Sequence, residues 1–207
     1  MVRDQIIDEF FEDLSSKSPT PGGGGASAVS GAMGVSLGLM VIALTLGKKK
    51  YAEYEESLLK CKADFEKLKD VFLSLADKDE EVFLPLSKAY SMPKETEEEK
   101  ALKARVMEQA LLEASLVPMS CMETAYGALE IMESVANMGS KLAISDAGVG
   151  ASCLRTALEG AAFNVKINVK SMQDPLRKES LTKKADALLR GGVKRAEKIL
   201  EIVENRL

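Results

Sequence analysis

Two short segments hold the residues whose types and spacing suit chemistry. The first is Pro19-Thr20-Pro21-Gly22-Gly23-Gly24-Gly25-Ala26-Ser27-Ala28. Two prolines stiffen the approach, and four glycines free the backbone to take positive φ and to lie close to whatever faces it. An uncharged run from Ala26 to Gly47 follows. A glycine loop opening onto a helix N-terminus leaves amide N–H groups without partners, and these can hold an anion or an electron-rich ligand edge. The second segment runs from Asp146 to Met172. There Asp146, Gly150, Cys153, Ala157, Gly160, Asn164 and Asn168 fall in one narrow sector of a helical wheel. Arg155, Glu159 and Lys166 fall on the other side. A carboxylate and two carboxamides among small residues form an unusual inward face. Each needs a partner, at a cost of ~1–3 kcal/mol if it has none. Either this face meets water and ligand in a cavity, or it hydrogen-bonds across a helix interface.

Composition narrows the chemistry. The 207 residues are 46% hydrophobic and 29% charged, as in an ordinary globular chain. The net charge of −4 gives no basic footprint for nucleic acid. There is no histidine, which excludes histidine-based triads, His-ligated zinc and histidine acid–base work. Proton transfer falls to Asp, Glu, Lys, Tyr, Cys or water. Cys61, Cys121 and Cys153 lie far apart without metal spacing, so no metal site is expected. Their odd number, with a charged amphipathic start in place of a secretory signal, points to a reducing cytoplasm. Ala26–Gly47 is long enough to cross a bilayer. It is rich in Gly and Ser and is the only such segment, so no membrane is expected.

The elements that must position these residues read as helices, because strand signals are nearly absent. The expected fold is all-α, a bundle of long, partly kinked helices around a buried small-residue central helix, in one domain spanning 1–207. The first helix is expected over Arg3–Ser15, with Ile6, Ile7, Phe10, Phe11 and Leu14 inward. The central helix follows over Ala26–Leu46. It carries Ser27, Gly31, Gly34, Gly38 and Thr45 on one side, a stripe that lets a helix or a flat ligand approach the backbone. Gly34 and Gly38 suit helix contact; Gly31, nearer the loop, is more open to a site role. A long helix follows over Lys48–Leu75. Asp77 and Glu80 have capping-box spacing and restart a helix at Lys78, which Pro85 kinks and Pro93 ends. Thr96 and Glu99 start another helix, running to Met138 with a kink near Pro118. The next begins at Ser145 or Asp146. The last covers Pro175–Asn205 with an interruption at Gly191-Gly192.

Pro21-Gly22-Gly23-Gly24, Ser27 and the small-residue helix resemble the opening of the cyclodeaminase domain of formiminotransferase-cyclodeaminase. That family also includes bacterial methenyltetrahydrofolate cyclohydrolases. The resemblance continues through Asp77-Lys78-Asp79 with Phe83 and through Ala89-Tyr90-Ser91-Met92-Pro93-Lys94. It is strongest again at Ser145-Asp146-Ala147-Gly148-Val149 and Asn164-Val165-Lys166-Ile167-Asn168. The matches keep their order from about Pro19 to Asp174. One departure is Gly139-Ser140, where relatives usually carry Gly-Asn.

The resemblance implies an all-α homodimer acting on a one-carbon tetrahydrofolate, with no cofactor beyond the folate itself. Two reactions are open: ring closure of the 5-formimino form with loss of ammonia, and interconversion of the 5,10-methenyl and 10-formyl forms. A chain with nothing to supply a formimino group leans towards the second. Asp146 is the first choice for acid/base catalysis. Asp77 is second, with a helix N-cap as its competing role. Lys141 would orient Asp146 or the leaving group, or is a surface lysine. Gly22, Gly23, Gly24, Gly25, Ser27, Ser145, Asn164 and Asn168 would contact the substrate, and Lys48–Lys50 would attract a glutamate tail. The competing reading is a helical folate-binding or dimeric assembly module without activity.

Overall fold

In the computed structural model the backbone is described for residues 1–207, and side chains for all but Arg3. Six α-helices follow one another: α1 (Ile7–Leu14), α2 (Gly23–Ala43), α3 (Glu55–Tyr90), α4 (Glu97–Met138), α5 (Ile144–Ser171) and α6 (Pro175–Glu204). Short 3-10 turns cover Val2–Asp4, Lys49–Tyr54 and Lys141–Ala143. No strand occurs among the described residues. The expected all-α bundle of long helices is what forms. One buried cluster extends from Val2 to Val203, with Phe65, Phe72, Leu129, Met132, Leu154 and Ile199 fully enclosed.

Several boundaries differ from expectation, each for a local reason. The first α-helix is shorter, because the chain from Val2 to Asp4 is a 3-10 turn. Of its expected inward face, Phe10 is buried while Ile6, Ile7 and Phe11 are exposed. The second helix starts at Gly23, so three of the four glycines lie inside its first turn instead of in a loop. None of the four has positive φ; Gly47 is the glycine that does. The third helix is unbroken from Glu55 to Tyr90. Asp77 therefore lies well inside it and cannot be an N-cap, and the Asp77/Glu80 spacing does not start a helix. Thr96 does form the expected capping box: its Oγ1 accepts from Glu99 N–H, and Glu99 Oε2 accepts from Thr96 N–H. The final helix also runs through Gly191-Gly192. A Cβ at Gly191 would press on the Tyr126 ring at 2.8 Å, and one at Gly192 would overlap Leu158. These glycines serve packing and do not break the helix.

The packing around α2 repeats at seven-residue intervals. Gly24, Gly31 and Gly38 face α3, where Asp79, Phe72 and Phe65 face back in antiparallel order. A Cβ at Gly31 or Gly38 would lie inside a phenyl ring, and one at Gly24 inside the Asp79 carboxylate. Gly31 is thus a helix-contact residue. On the adjoining side α2 meets α5, also antiparallel: Gly23 against Asn164, Ser27 against Gly160, and Gly34 against the Gly150 carbonyl. Ser30 Oγ donates to the Cys153 carbonyl at 3.0 Å. Glycine inside a helix costs ~1 kcal/mol relative to alanine, and close approach of two neighbours at once offsets it.

This contrast is testable by thermal or urea unfolding. Gly127 lies inside α4 with nothing within 4 Å of its would-be Cβ. Gly127→Ala should stabilise the chain by about 1 kcal/mol from helix propensity alone. Gly31→Ala should instead destabilise it by about 1–3 kcal/mol, because the Phe72 ring must be displaced.

Candidate functional site

The sequence-selected residues gather at two ends of the α2–α5 pair. At the α2 N-terminus, Gly22 is the N-cap in extended backbone, after a cis Thr20–Pro21 peptide. Gly25 N–H donates to Asp79 Oδ2 at 3.0 Å. Ser27 Oγ donates to the Gly23 carbonyl at 2.6 Å and is buried. Asn164 Nδ2 donates to the Gly160 carbonyl at 2.9 Å, so its side chain lies along α5 beside exposed Gly23. The N-terminus of α2 is therefore already occupied by a carboxylate from α3. Negative charge is favoured there by the unpaired N–H groups and the helix dipole.

Asp79 is the residue that sequence reasoning passed over in favour of Asp77. It continues the α3 stripe Leu58, Phe65, Phe72 by one more interval of seven, and Leu86 follows after another seven. The other four are buried. A carboxylate in an otherwise apolar stripe was the available signal. Burial raises the Asp79 pKa above the ordinary carboxylate value; the Gly25 N–H opposes this, and Glu80 adds to it. Burial likewise raises the pKa of the nearby Cys121 thiol to about 12, with Asp79 contributing. Cys153 is half-buried and its pKa is also raised by burial. Both thiols are protonated at neutral pH, which removes them as nucleophiles.

Asn168 belongs to a different neighbourhood. Its Nδ2 donates to the Ala114 carbonyl of α4 at 2.8 Å. That carbonyl is four residues before Pro118, which has no N–H to give it. The amide thus fills a backbone bond that the proline removed, and ties α5 to α4.

The other end of the pair holds Asp146, Ser145, Lys141 and the Lys48–Lys50 cluster. Asp146 is half-buried in the first turn of α5, and Ser145 beside it is exposed. Ser140 is buried; its N–H donates to Thr45 Oγ1 at 2.8 Å, and its Oγ accepts from Lys48 Nζ at 3.4 Å. Lys141 N–H donates to the Tyr51 hydroxyl at 3.2 Å, which lowers the tyrosine pKa, while its own side chain is exposed. Arg206 closes this end by donating to the carbonyls of Ala136, Asn137 and Gly139. Ser140 is thus a buried clasp between the ends of α2 and α4.

The two ends do not meet within one chain. Asp146 and Asn164 are eighteen residues apart on one helix, about 27 Å at 1.5 Å per residue. The glycine run and Asp146 therefore do not line one hollow within a single chain, because α2 and α5 run antiparallel. Clefts are present elsewhere on the chain. One of about 710 Å³ is lined by Pro85, Glu108, Gln109, Glu113 and Arg177, and another of about 710 Å³ by Cys61, Asp64, Lys67 and Glu130. Among the described residues no cluster of His, Cys, Asp or Glu is arranged to hold a metal ion.

The linkage sign for Asp79 follows from its raised pKa. The folded chain holds this proton more tightly than the unfolded chain. The corresponding stability is fully present below the ordinary carboxylate pKa and is lost as pH rises through the raised value. The stability of the wild type minus that of Asp79→Asn should therefore fall as pH rises above about 4, the ordinary carboxylate value. A difference that rises with pH would mean that the helix N-terminus outweighs burial.

Comparison with known proteins gives a consistent picture. A methenyltetrahydrofolate cyclohydrolase of Methylorubrum extorquens is 38% identical over 207 residues, covering all of both chains. The formimidoyltransferase-cyclodeaminase of Mus musculus is 30% identical over 98% of this chain, which spans 38% of that longer protein. A crystal structure of formiminotetrahydrofolate cyclodeaminase from Thermotoga maritima superposes with a TM-score of 0.82. It is 29% identical, with 97% of this chain and 98% of that one covered. The sequence profile of formiminotransferase-cyclodeaminase matches residues 6–187, and the chain belongs to that family.

Proposed function

We propose that this protein is a one-carbon tetrahydrofolate enzyme, a methenyltetrahydrofolate cyclohydrolase in the first instance. The observation that carries the reading is the 38% identity to a cyclohydrolase along its whole length. In the reaction, water adds to the carbon bridging N5 and N10 of the methenyl form and gives a tetrahedral adduct. The bond to N5 then breaks, leaving a formyl group on N10 and releasing one proton. The related cyclodeaminase reaction, favoured by the likeness to the Thermotoga maritima structure, has N10 attack a formimino carbon on N5 and expel ammonia. Both need a group that accepts and returns a proton beside the reacting carbon.

In a chain without histidine that group is a carboxylate. Asp146 is the acid/base in this reading, and Lys141 orients it or the leaving group. Asp77, inside α3, is the weaker candidate. Gly22 to Gly25, Ser27, Ser145 and Asn164 line the substrate path. Asn168 supports that path from behind through its bond to α4. Residues 1–207 act as one domain and the assembly is a homodimer. The reading needs no cofactor beyond the folate, no nucleic acid and no membrane, and it places the protein in the cytoplasm. By length and composition α2 could cross a bilayer, yet half of its apolar window is buried in the bundle, which favours a place within a folded core.

The test follows the absorbance of 5,10-methenyltetrahydrofolate with the 5-formimino and methenyl forms as separate substrates. Wild type should accelerate methenyl ring opening beyond the buffer rate. Asp146→Asn, with helicity unchanged by circular dichroism, should lower kcat by about 10²-fold or more, the usual worth of a positioned acid/base. Turnover within a few-fold of wild type would remove Asp146 from that role. Ammonia release from the formimino form with no action on the methenyl form would assign the cyclodeaminase reaction instead.

A further inference from the structure

The turn between α4 and α5 is held more completely than a connection requires. Short helix–helix connections are ordinary, and backbone groups at a surface can be left to water. Here every backbone group from Gly139 to Lys141 has a partner within the chain. Gly139 N–H donates to the Val135 carbonyl at 2.7 Å, and Arg206 Nη2 donates to the Gly139 carbonyl at 2.8 Å. Ser140 N–H donates to Thr45 Oγ1 at 2.8 Å, and the Ser140 carbonyl accepts from Ala143 N–H at 3.0 Å. Lys141 N–H donates to Tyr51 Oη at 3.2 Å, and the Lys141 carbonyl accepts from Ile144 N–H. Thr45 follows α2, Tyr51 precedes α3 and Arg206 follows α6. Side chains from three separate places thus converge on one short turn. Gly139 also lies against α2, where a Cβ would overlap Val41 at 2.6 Å.

Among these partners Tyr51 contributes least to stability. Its contact with Lys141 is exposed, so water would take the place of the lost hydroxyl. The tyrosine is nevertheless fixed in place. Its backbone N–H donates to the Lys48 carbonyl at 2.9 Å, and Lys50 Nζ stands 5.6 Å from the centre of its ring. Its oxygen faces donors. The Lys141 N–H does most to lower the phenol pKa, desolvation opposes it, and the Ser140 side chain, Lys50 and Arg206 lower it further. The turn that Tyr51 holds carries Lys141 and runs directly from a 3-10 turn into α5, whose first turn carries Asp146. A shift of the Lys141 backbone therefore moves both side chains. A displacement of ~1 Å in a reacting group can cost ~10²-fold in rate.

We infer that Tyr51 is a positioning residue of the reaction, holding the Gly139–Lys141 turn so that Lys141 and Asp146 keep one geometry. It acts through the turn, without contact to the reacting carbon. The inference rests on the folate reading above, with Asp146 as the acid/base.

The test is Tyr51→Phe, which removes the oxygen and keeps the ring beside Lys50. With the methenyl form as substrate, kcat should fall about 10-fold while KM stays within about two-fold of wild type. The melting temperature should stay within about 2 °C of wild type, since the lost contact is exposed. In an Asp146→Asn background the same change should lower the remaining turnover by less than about two-fold, because the group it positions is already gone. Amide hydrogen exchange at Lys141, Ser145 and Asp146 should be faster in Tyr51→Phe, with the interior of α4 unchanged.

A Tyr51→Phe enzyme with wild-type kcat overturns the inference. A rise in KM alone would put the hydroxyl on the substrate and overturn it too. A loss that persists undiminished in the Asp146→Asn background would show that Tyr51 does not act through Asp146. A fall in kcat that comes with a collapse of the melting temperature would make the residue merely structural. Wild type inactive on both folates would sink the functional reading and this inference with it, whereas a Tyr51→Phe result against an active wild type bears on the inference alone.

Discussion

The structure depends on one close contact: three glycines of α2, seven residues apart, lie against three large or charged side chains of α3 at the same interval. Gly38 receives Phe65, Gly31 receives Phe72, and Gly24 receives Asp79. Without a Cβ at these positions, helix backbone can approach ring and carboxylate to van der Waals distance. The first two pairs are core packing. The third repeats the same geometry with a carboxylate, at the place where α2 exposes its unpaired N–H groups. Packing and electrostatics therefore join at one residue. Asp79 is pulled towards neutrality by burial and towards ionisation by the Gly25 amide.

The same helix uses its small residues a second time against α5. Gly34 lies on the Gly150 carbonyl, Ser27 occupies the space that a Cβ on Gly160 would need, and Gly23 abuts Asn164. Because the two helices run in opposite directions, the chemistry-bearing residues of α5 are split. Asn164 stands beside the start of α2, and Asp146 stands at its far end near Ser140 and Lys48. Antiparallel packing thus separates what a wheel diagram places on one face.

Much of the fold was legible. Helical periodicity and the Thr96/Glu99 capping box placed α4 and the start of α5 within a few residues. What misled was punctuation. The glycine run, the Asp77/Glu80 spacing and Gly191-Gly192 all look like breaks, and none breaks a helix. Glycine marks close approach as readily as it marks a turn, and a capping motif inside a helix is overridden when the apolar stripe continues through it. The wheel places Asp146, Asn164 and Asn168 in one sector. It carries no information about position along the axis, and it did not show that Asn168 serves the carbonyl freed by Pro118. Asp79 was visible only by extending the stripe of Leu58, Phe65 and Phe72, since its nearest sequence neighbours suggested a cap at Asp77.

The most direct measurement is a crystal structure with a non-reactive folate analogue bound. The one-carbon region between N5 and N10 should lie within hydrogen-bond reach of the Asp146 carboxylate, directly or through one water. A folate whose one-carbon region lies out of reach of Asp146 would contradict its role as the acid/base.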